Sequence, residues 1–157
     1  MNKIKITKYK NGQEVAINRL IKKVYDEFVA IDYTDEGNSF FYDWIEPSKI
    51  AERQHNQRTI LLAMVGSMII GIIEIRDNNR ISLLFVDKEF QGNGIAKKLF
   101  RESLKACIQK DPNLDKFYVY ASPFSIPIYK KLGFCETDIM QEKFGMKYLP
   151  MEMTINI

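Results

Sequence analysis

The chain has 157 residues, with 23 Lys and Arg against 20 Asp and Glu for a formal net charge of +3. That length suits one domain with its own core and is short for two. A hydrophobic fraction of 46% beside 27% charged residues is ordinary for a globular protein, and so small and evenly spread a positive excess gives no reason to expect nucleic acid as a partner. The opening Met-Asn-Lys-Ile-Lys-Ile lacks the apolar core of a signal peptide. The longest apolar run, Ile60–Ile73, is broken by Gly66-Ser67 and falls short of a membrane span. The expectation is a single cytoplasmic domain over residues 1–157 with no membrane partner.

Lys3–Tyr9 alternates in polarity and predicts a first strand with Ile4 and Ile6 on one face. Asn11-Gly12 turns the chain into a helix expected over Gln13–Ile31, whose apolar positions Ile17, Leu20, Ile21, Val24, Phe28 and Ile31 keep helical spacing. Asp32-Tyr33-Thr34-Asp35-Glu36-Gly37 is acidic and turn-like, and Phe40, Phe41, Tyr42 and Trp44 follow closely. Carboxylates beside aromatics suit a cationic amine through charge and cation–π contact; a loop with its aromatics in the core is the alternative. A second helix is expected from Pro47 to His55, since proline fits a first helical turn.

Thr59–Val65 and Met68–Arg76 read as antiparallel strands joined by Gly66-Ser67, a two-residue turn with glycine first. Asp77-Asn78-Asn79-Arg80 then turns into a strand over Ile81–Val86. With Asn78-Asn79 as the turn, Arg76 faces Ile81, Glu74 faces Leu83, and Ser82 lies on the opposite side of the sheet from Glu74. Ala96, Leu99, Phe100, Ser103, Leu104 and Cys107 recur with helical spacing, while Lys97, Lys98, Arg101, Glu102 and Lys105 form a basic outer face. Phe117–Ala121 reads as a buried strand, parallel to Ile81–Val86 if this helix is the crossover. A short helix over Pro123–Leu132 with Gly133 at its left-handed end, then strands over Phe134–Met140 and Met151–Ile157, complete the chain.

Cys107 and Cys135 with the single His55 make a poor metal set, so no metal is expected. Each thiol is read as buried and structural, and His55, in the polar helical stretch Arg53–Gln57, as solvated.

The stretch with most chemical content is Phe85–Ala96, Phe-Val-Asp-Lys-Glu-Phe-Gln-Gly-Asn-Gly-Ile-Ala, where a strand runs through a charged loop into two glycines and a helix. Glycines admit close backbone approach, and a first helical turn offers unpaired N–H groups and the positive end of the dipole, so the turn suits a phosphate. It is neither a P-loop, since Gly94 is followed by Ile95, nor a dinucleotide fingerprint, whose third glycine would fall at Lys97.

Gln91-x-x-Gly94-x-Ala96 resembles the Gln/Arg-x-x-Gly-x-Gly/Ala signature of the GNAT superfamily of acyl-CoA-dependent N-acetyltransferases. Downstream, Ser122–Phe134 is similar to that superfamily's second signature, Asn-x-x-Ala-x-x-x-Tyr-x-Lys-x-Gly-Phe, with Ser122 in place of Asn and Ser125 in place of Ala. The resemblance implies an α/β fold, a mixed and mostly antiparallel sheet of six to seven strands flanked by about four helices, with a splayed V between the fourth and fifth strands. It implies acetyl-CoA as cofactor, held by backbone groups of Leu84, Phe85 and Val86, by amides of Gln91, Gly92, Asn93, Gly94, Ile95 and Ala96, by Lys97 or Lys98, and by a short-reaching Ser122.

The implied reaction is acetyl transfer to a primary amine of a small molecule, peptide or protein, with Tyr129 as general acid towards the departing thiolate. No residue clearly identifies a base: Glu74, a lone carboxylate in an apolar strand, is one candidate and water acting through Ser82 the other. An acyl-CoA-binding sensor, or an inactive member, is the alternative function. The closing strands are of a kind that could pair two subunits as a homodimer.

Overall fold

The computed structural model describes residues 3–155. Asn156 and Ile157, the end of the expected last strand, lie outside the described residues.

The chain forms β1 (Ile4–Lys8), α1 (Glu14–Phe28), α2 (Asp35–Trp44), α3 (Pro47–Arg53), β2 (Arg58–Val65), β3 (Met68–Arg76) and β4 (Arg80–Val86) in its first half. The second half gives α4 (Ile95–Lys110), β5 (Lys116–Ala121), α5 (Ile126–Leu132), β6 (Cys135–Glu136), β7 (Gln141–Lys143) and β8 (Met146–Thr154). The sheet runs β1-β2-β3-β4-β5-β8-β6, with β7 pairing β8 alone. All pairings are antiparallel except β4 with β5. The architecture is the expected one, with eight strands and five α-helices rather than six to seven and about four. Among the described residues no helix is long and apolar enough to cross a membrane.

Both faces of the central strands are covered, which is why β3 is buried almost continuously. On one face Ile73, Ile75, Leu61 and Ala63 meet Ile95, Leu99, Phe100 and Cys107 of α4. On the other, Ile60, Leu62 and Ile72 meet Ile17, Leu20, Ile21 and Val24 of α1.

Four local expectations change. The first helix ends at Phe28, and a 3₁₀ turn, Ala30–Asp32, follows. The acidic stretch is no loop: Thr34 caps α2, its hydroxyl accepting from Gly37 N–H at 3.2 Å, and Asp35 and Glu36 fill the first turn, where carboxylates complement the helix dipole. The third helix stops at Arg53, leaving His55 exposed in a turn. The closing segment is a hairpin, β7 and β8 joined at Phe144-Gly145, both with positive φ.

The β3–β4 register also differs. Asp77 and Asn78 take the positive φ values, Arg76 pairs with Arg80, and a bulge between Glu74 and Ile75 on the register restores Glu74 opposite Leu83. Ile81 and Leu83 accordingly enter opposite cores although they are two residues apart. The extra residue is Ser82, which the bulge turns to the same side as Glu74.

Candidate active site

The parallel pair β4–β5 is joined only at Arg80–Tyr118 and Ile81–Val119, after which the strands diverge. The divergence opens a cleft of about 90 Å³. Ser82, Leu84 and Phe85 line it from β4, with Ser122, Ser125 and Tyr129 across from them. Its remaining wall is aromatic: Tyr25 and Phe41 stack at 4.0 Å between centroids, with Tyr33 edge-on to Tyr25 and Tyr120 on β5. No Asp or Glu among the described residues lines the cleft.

The backbone of β4 is unevenly committed. Asp87 N–H bonds to Ile70 O at 2.8 Å, so antiparallel alternation turns the polar groups of Phe85 towards β3 and those of Leu84 and Val86 towards the diverging side. Val86 O accepts from Gln91 Nε2 at 3.0 Å, which fastens the following loop to the strand end. Of the three backbone positions expected to face a cofactor, Leu84 and Val86 have the suitable direction and Phe85 does not.

At the end of that loop Gly92 and Gly94 have φ of 80° and 75°, a conformation glycine adopts without steric penalty. Gly94 is the N-cap of α4, with no side-chain cap. Lys98 N–H is the first to bond back, to Gly94 O at 3.0 Å, so the amides of Ile95, Ala96 and Lys97 have no partner within the helix. Lys97, Lys98, Arg101 and Lys105 flank this turn along the exposed face. The turn thus offers free amides suited to phosphate groups, and the diverging strands offer strand-like backbone suited to an extended polar arm.

Tyr129 is 5% exposed, and its burial, with a smaller effect from Tyr33, pushes its phenol well above the usual value, so it stays protonated at neutral pH. Ser122 and Ser125 hydroxyls bond each other at 2.8 Å. Glu74 is fully buried and lies behind the cleft. Its Oε1 accepts from Arg58 Nη1 at 2.9 Å and from Ser82 Oγ at 2.6 Å, and its Oε2 from Gln54 Nε2 at 3.0 Å. Ser82, which does line the cleft, connects that carboxylate to it. Asp35 and Glu36 are exposed on α2 and take no part in the lining.

A family model described as an acetyltransferase (GNAT) domain matches residues 29–155. The chain belongs to the GNAT family. This GNAT chain superposes on the GCN5-related N-acetyltransferase from Rhodopseudomonas palustris with a TM-score of 0.83 at 16% identity, covering 99% of this chain and 98% of that one. It matches the PaiA N-acetyltransferase from Thermoplasma acidophilum, solved with coenzyme A, with a TM-score of 0.81 at 21% identity over 98% and 99% of the two chains. The spermidine N-acetyltransferase from Vibrio cholerae, solved with CoA and spermine, gives 0.67 at 18% identity over 96% and 95%. At these identities the likeness is one of fold. No curated protein matches the GNAT chain at a significant level.

Of the aromatic wall, Tyr33 and Phe41 fall in the stretch whose aromatics were expected to meet an amine, whereas sequence reasoning missed Tyr25 and Tyr120, which come from the separate elements α1 and β5. For Tyr120 the signal lay in β5, where Tyr118 and Tyr120 alternate with buried Phe117, Val119 and Ala121. The two thiols also part company: Cys107 is buried as expected, whereas Cys135 is exposed on the short strand β6.

Proposed function

We propose that this protein transfers an acetyl group from acetyl-CoA to a primary amine by direct attack of the amine on the thioester. The observation that carries the reading is the meeting of Tyr129 and Ser82 across one cleft, at the point where β4 and β5 separate and beside the uncapped start of α4. Acetyl-CoA, when bound, supplies an activated acyl group that a neutral amine takes up with release of the thiol.

The residues divide the remaining work. The amides of Gly92 to Lys97, with the charge of Lys97 or Lys98, hold phosphates. Leu84 and Val86 offer backbone groups to the extended arm, and Ser122 a hydroxyl. The acceptor must arrive as, or become, a free amine, because an ammonium of pKa ~10.4 is no nucleophile. Ser82 donates its hydroxyl hydrogen bond to Glu74 and accepts a long one from Arg58 Nη1 at 3.4 Å, which leaves its oxygen room to accept one more, from the amine or from a water beside it. Glu74 is on this reading a positioning residue, and Arg58 fixes its orientation. Tyr129, kept protonated by burial, donates a proton towards the departing sulfur.

Thiol release from acetyl-CoA is the test, measured with polyamines, amino acids, aminoglycosides and short peptides, alongside calorimetry of acetyl-CoA binding. Turnover with one amine class is the expected result. Absence of any acetyl-CoA binding would overturn the reading.

A further inference from the structure

We propose that the acceptor amine carries a carboxylate, and that Arg80, seated on Tyr118 and Tyr120 at the narrow end of the cleft, binds it. This rests on the acyl-transfer reading above and names the class of its second substrate.

The inference begins with charge. Among the described residues the cleft has no acidic lining side chain, which a cationic polyamine would call for. Glu74 Oε1 is 2.6 Å from Ser82 Oγ, a lining residue, but that carboxylate is already held by Arg58 and Gln54, and the other charged groups set against the lining are cationic. Arg80 lies 4.4 Å from the ring centroid of Tyr120, a lining residue, and 5.4 Å from that of Tyr118. Arg58 reaches Ser82 Oγ, another lining residue, at 3.4 Å. Behind Ser82 stand Arg53, Arg58 and Glu74, two guanidinium groups for one carboxylate, and Arg53 Nε and Nη2 are buried without a hydrogen-bond partner.

Arg80 differs from its neighbours in being uncommitted. Arg58 is paired with Glu74 at 2.9 Å and Arg76 with Asp77 at 3.2 Å, whereas Arg80 is in no ion pair among the described residues. Glu152, opposite Tyr118 on β8, is held by Lys116 at 3.4 Å. Cation–π contact with the two rings holds the guanidinium beside the cleft without using its N–H donors, and a planar fork of N–H groups matches a carboxylate. The same molecule would then reach Ser82 and Tyr129 with its amine.

The experiment compares matched amines that differ only at the carboxylate: lysine with cadaverine, phenylalanine with phenethylamine, and glycylglycine with its amide. Thiol release from acetyl-CoA should favour the carboxylate member of at least one pair by ~10- to 100-fold in kcat/KM, the range of a charge-assisted hydrogen-bonded contact. In Arg80→Gln that ratio should collapse towards one, and Arg80→Lys should restore part of it. A second readout needs no turnover: N-acetyl amino acids titrated calorimetrically into protein holding CoA should bind more tightly than the corresponding N-acetyl amides. Preference for the carboxylate-free member throughout, or equal binding of acid and amide, overturns the subsite while leaving acyl transfer standing. Carboxylate-selective binding without thiol release would sustain the subsite and remove the acyl-transfer reading.

Discussion

Gly37 on α2 packs so closely on the turn of the β7–β8 hairpin that a β-carbon there would lie 2.3 Å from Gly145 O. The same contact is tied by Thr34 N–H donating to Gly145 O at 3.0 Å and flanked by the stacked rings of Phe40 and Phe144. It fixes α2, and with it Phe41, against the second half of the sheet. Gly37→Ala is therefore expected to destabilise the protein by ~1–3 kcal/mol, the usual cost of overpacking, and to lower its Tm. Gly145→Ala should cost at least as much, since its β-carbon would also lie 1.9 Å from Thr34 Oγ1 and φ there is 79°. Unaltered melting of both variants would show that this seam yields freely.

Tyr129→Phe removes one hydroxyl from a ring that otherwise keeps its packing against Phe134. Turnover should fall ~100-fold or more, within the range for general acid catalysis, while acetyl-CoA affinity measured by calorimetry stays within about threefold. Equal kcat in the two proteins, with chemistry rate-limiting, would exclude the phenol as the proton donor.

Breaking the buried pair from one side should be costly. Arg58→Met leaves Glu74 charged and enclosed, with an expected loss of ~3–5 kcal/mol in urea unfolding. Adding Glu74→Leu to that variant should recover most of it, because two apolar side chains need no partner. Kinetics separates the roles of Glu74: in Glu74→Gln a positioning residue lowers kcat but keeps the acidic limb of the pH–rate profile, and a general base loses that limb.

Burial pushes the Cys107 thiol up to about 11, with Lys110 opposing weakly. The unfolded chain releases that proton near its ordinary value of 9.0. The folded state thus binds the extra proton between these values, so the contribution to stability is whole below about pH 9 and lost as pH rises to about 11. Urea midpoints should fall across that window, less so in Cys107→Ala. At neutral pH a thiol reagent should label the exposed Cys135 and spare Cys107 until the protein unfolds.

Much of this was readable in the chain because the responsible forces are local. Periodicity located α1, α4 and the β2–β3–β4 meander, and the Gln91–Ala96 and Ser122–Phe134 signatures pointed to the glycine turn before α4 and to Tyr129 in the cleft. The helix α2 was hidden by its own composition, since Gly37 and four crowded aromatics imitate a loop. The useful signal was Thr34 followed by two acids, a capping pattern rather than a hydrophobic one. The position of Ser82 was not readable at all. It depends on which residues of Asp77-Asn78-Asn79 take positive φ, a choice that moves one residue of register and so decides what faces Glu74. Arg80 was likewise silent, because its neighbours Tyr118 and Tyr120 are brought to it by the parallel crossover.

The divergence of β4 from β5 has a consequence for how the folded chain meets other chains. An open strand edge ordinarily invites edge-to-edge aggregation, and proteins guard such edges with charge, proline or bulges. Here two edges face each other inside the sheet, and the gap between them closes at Ile81 and Val119. An intruding strand could follow it for only a few residues before meeting backbone already paired. The wedge is thereby selective by length: a thin, flexible arm with a few amide groups can dock where a stretch of foreign polypeptide finds no room to propagate.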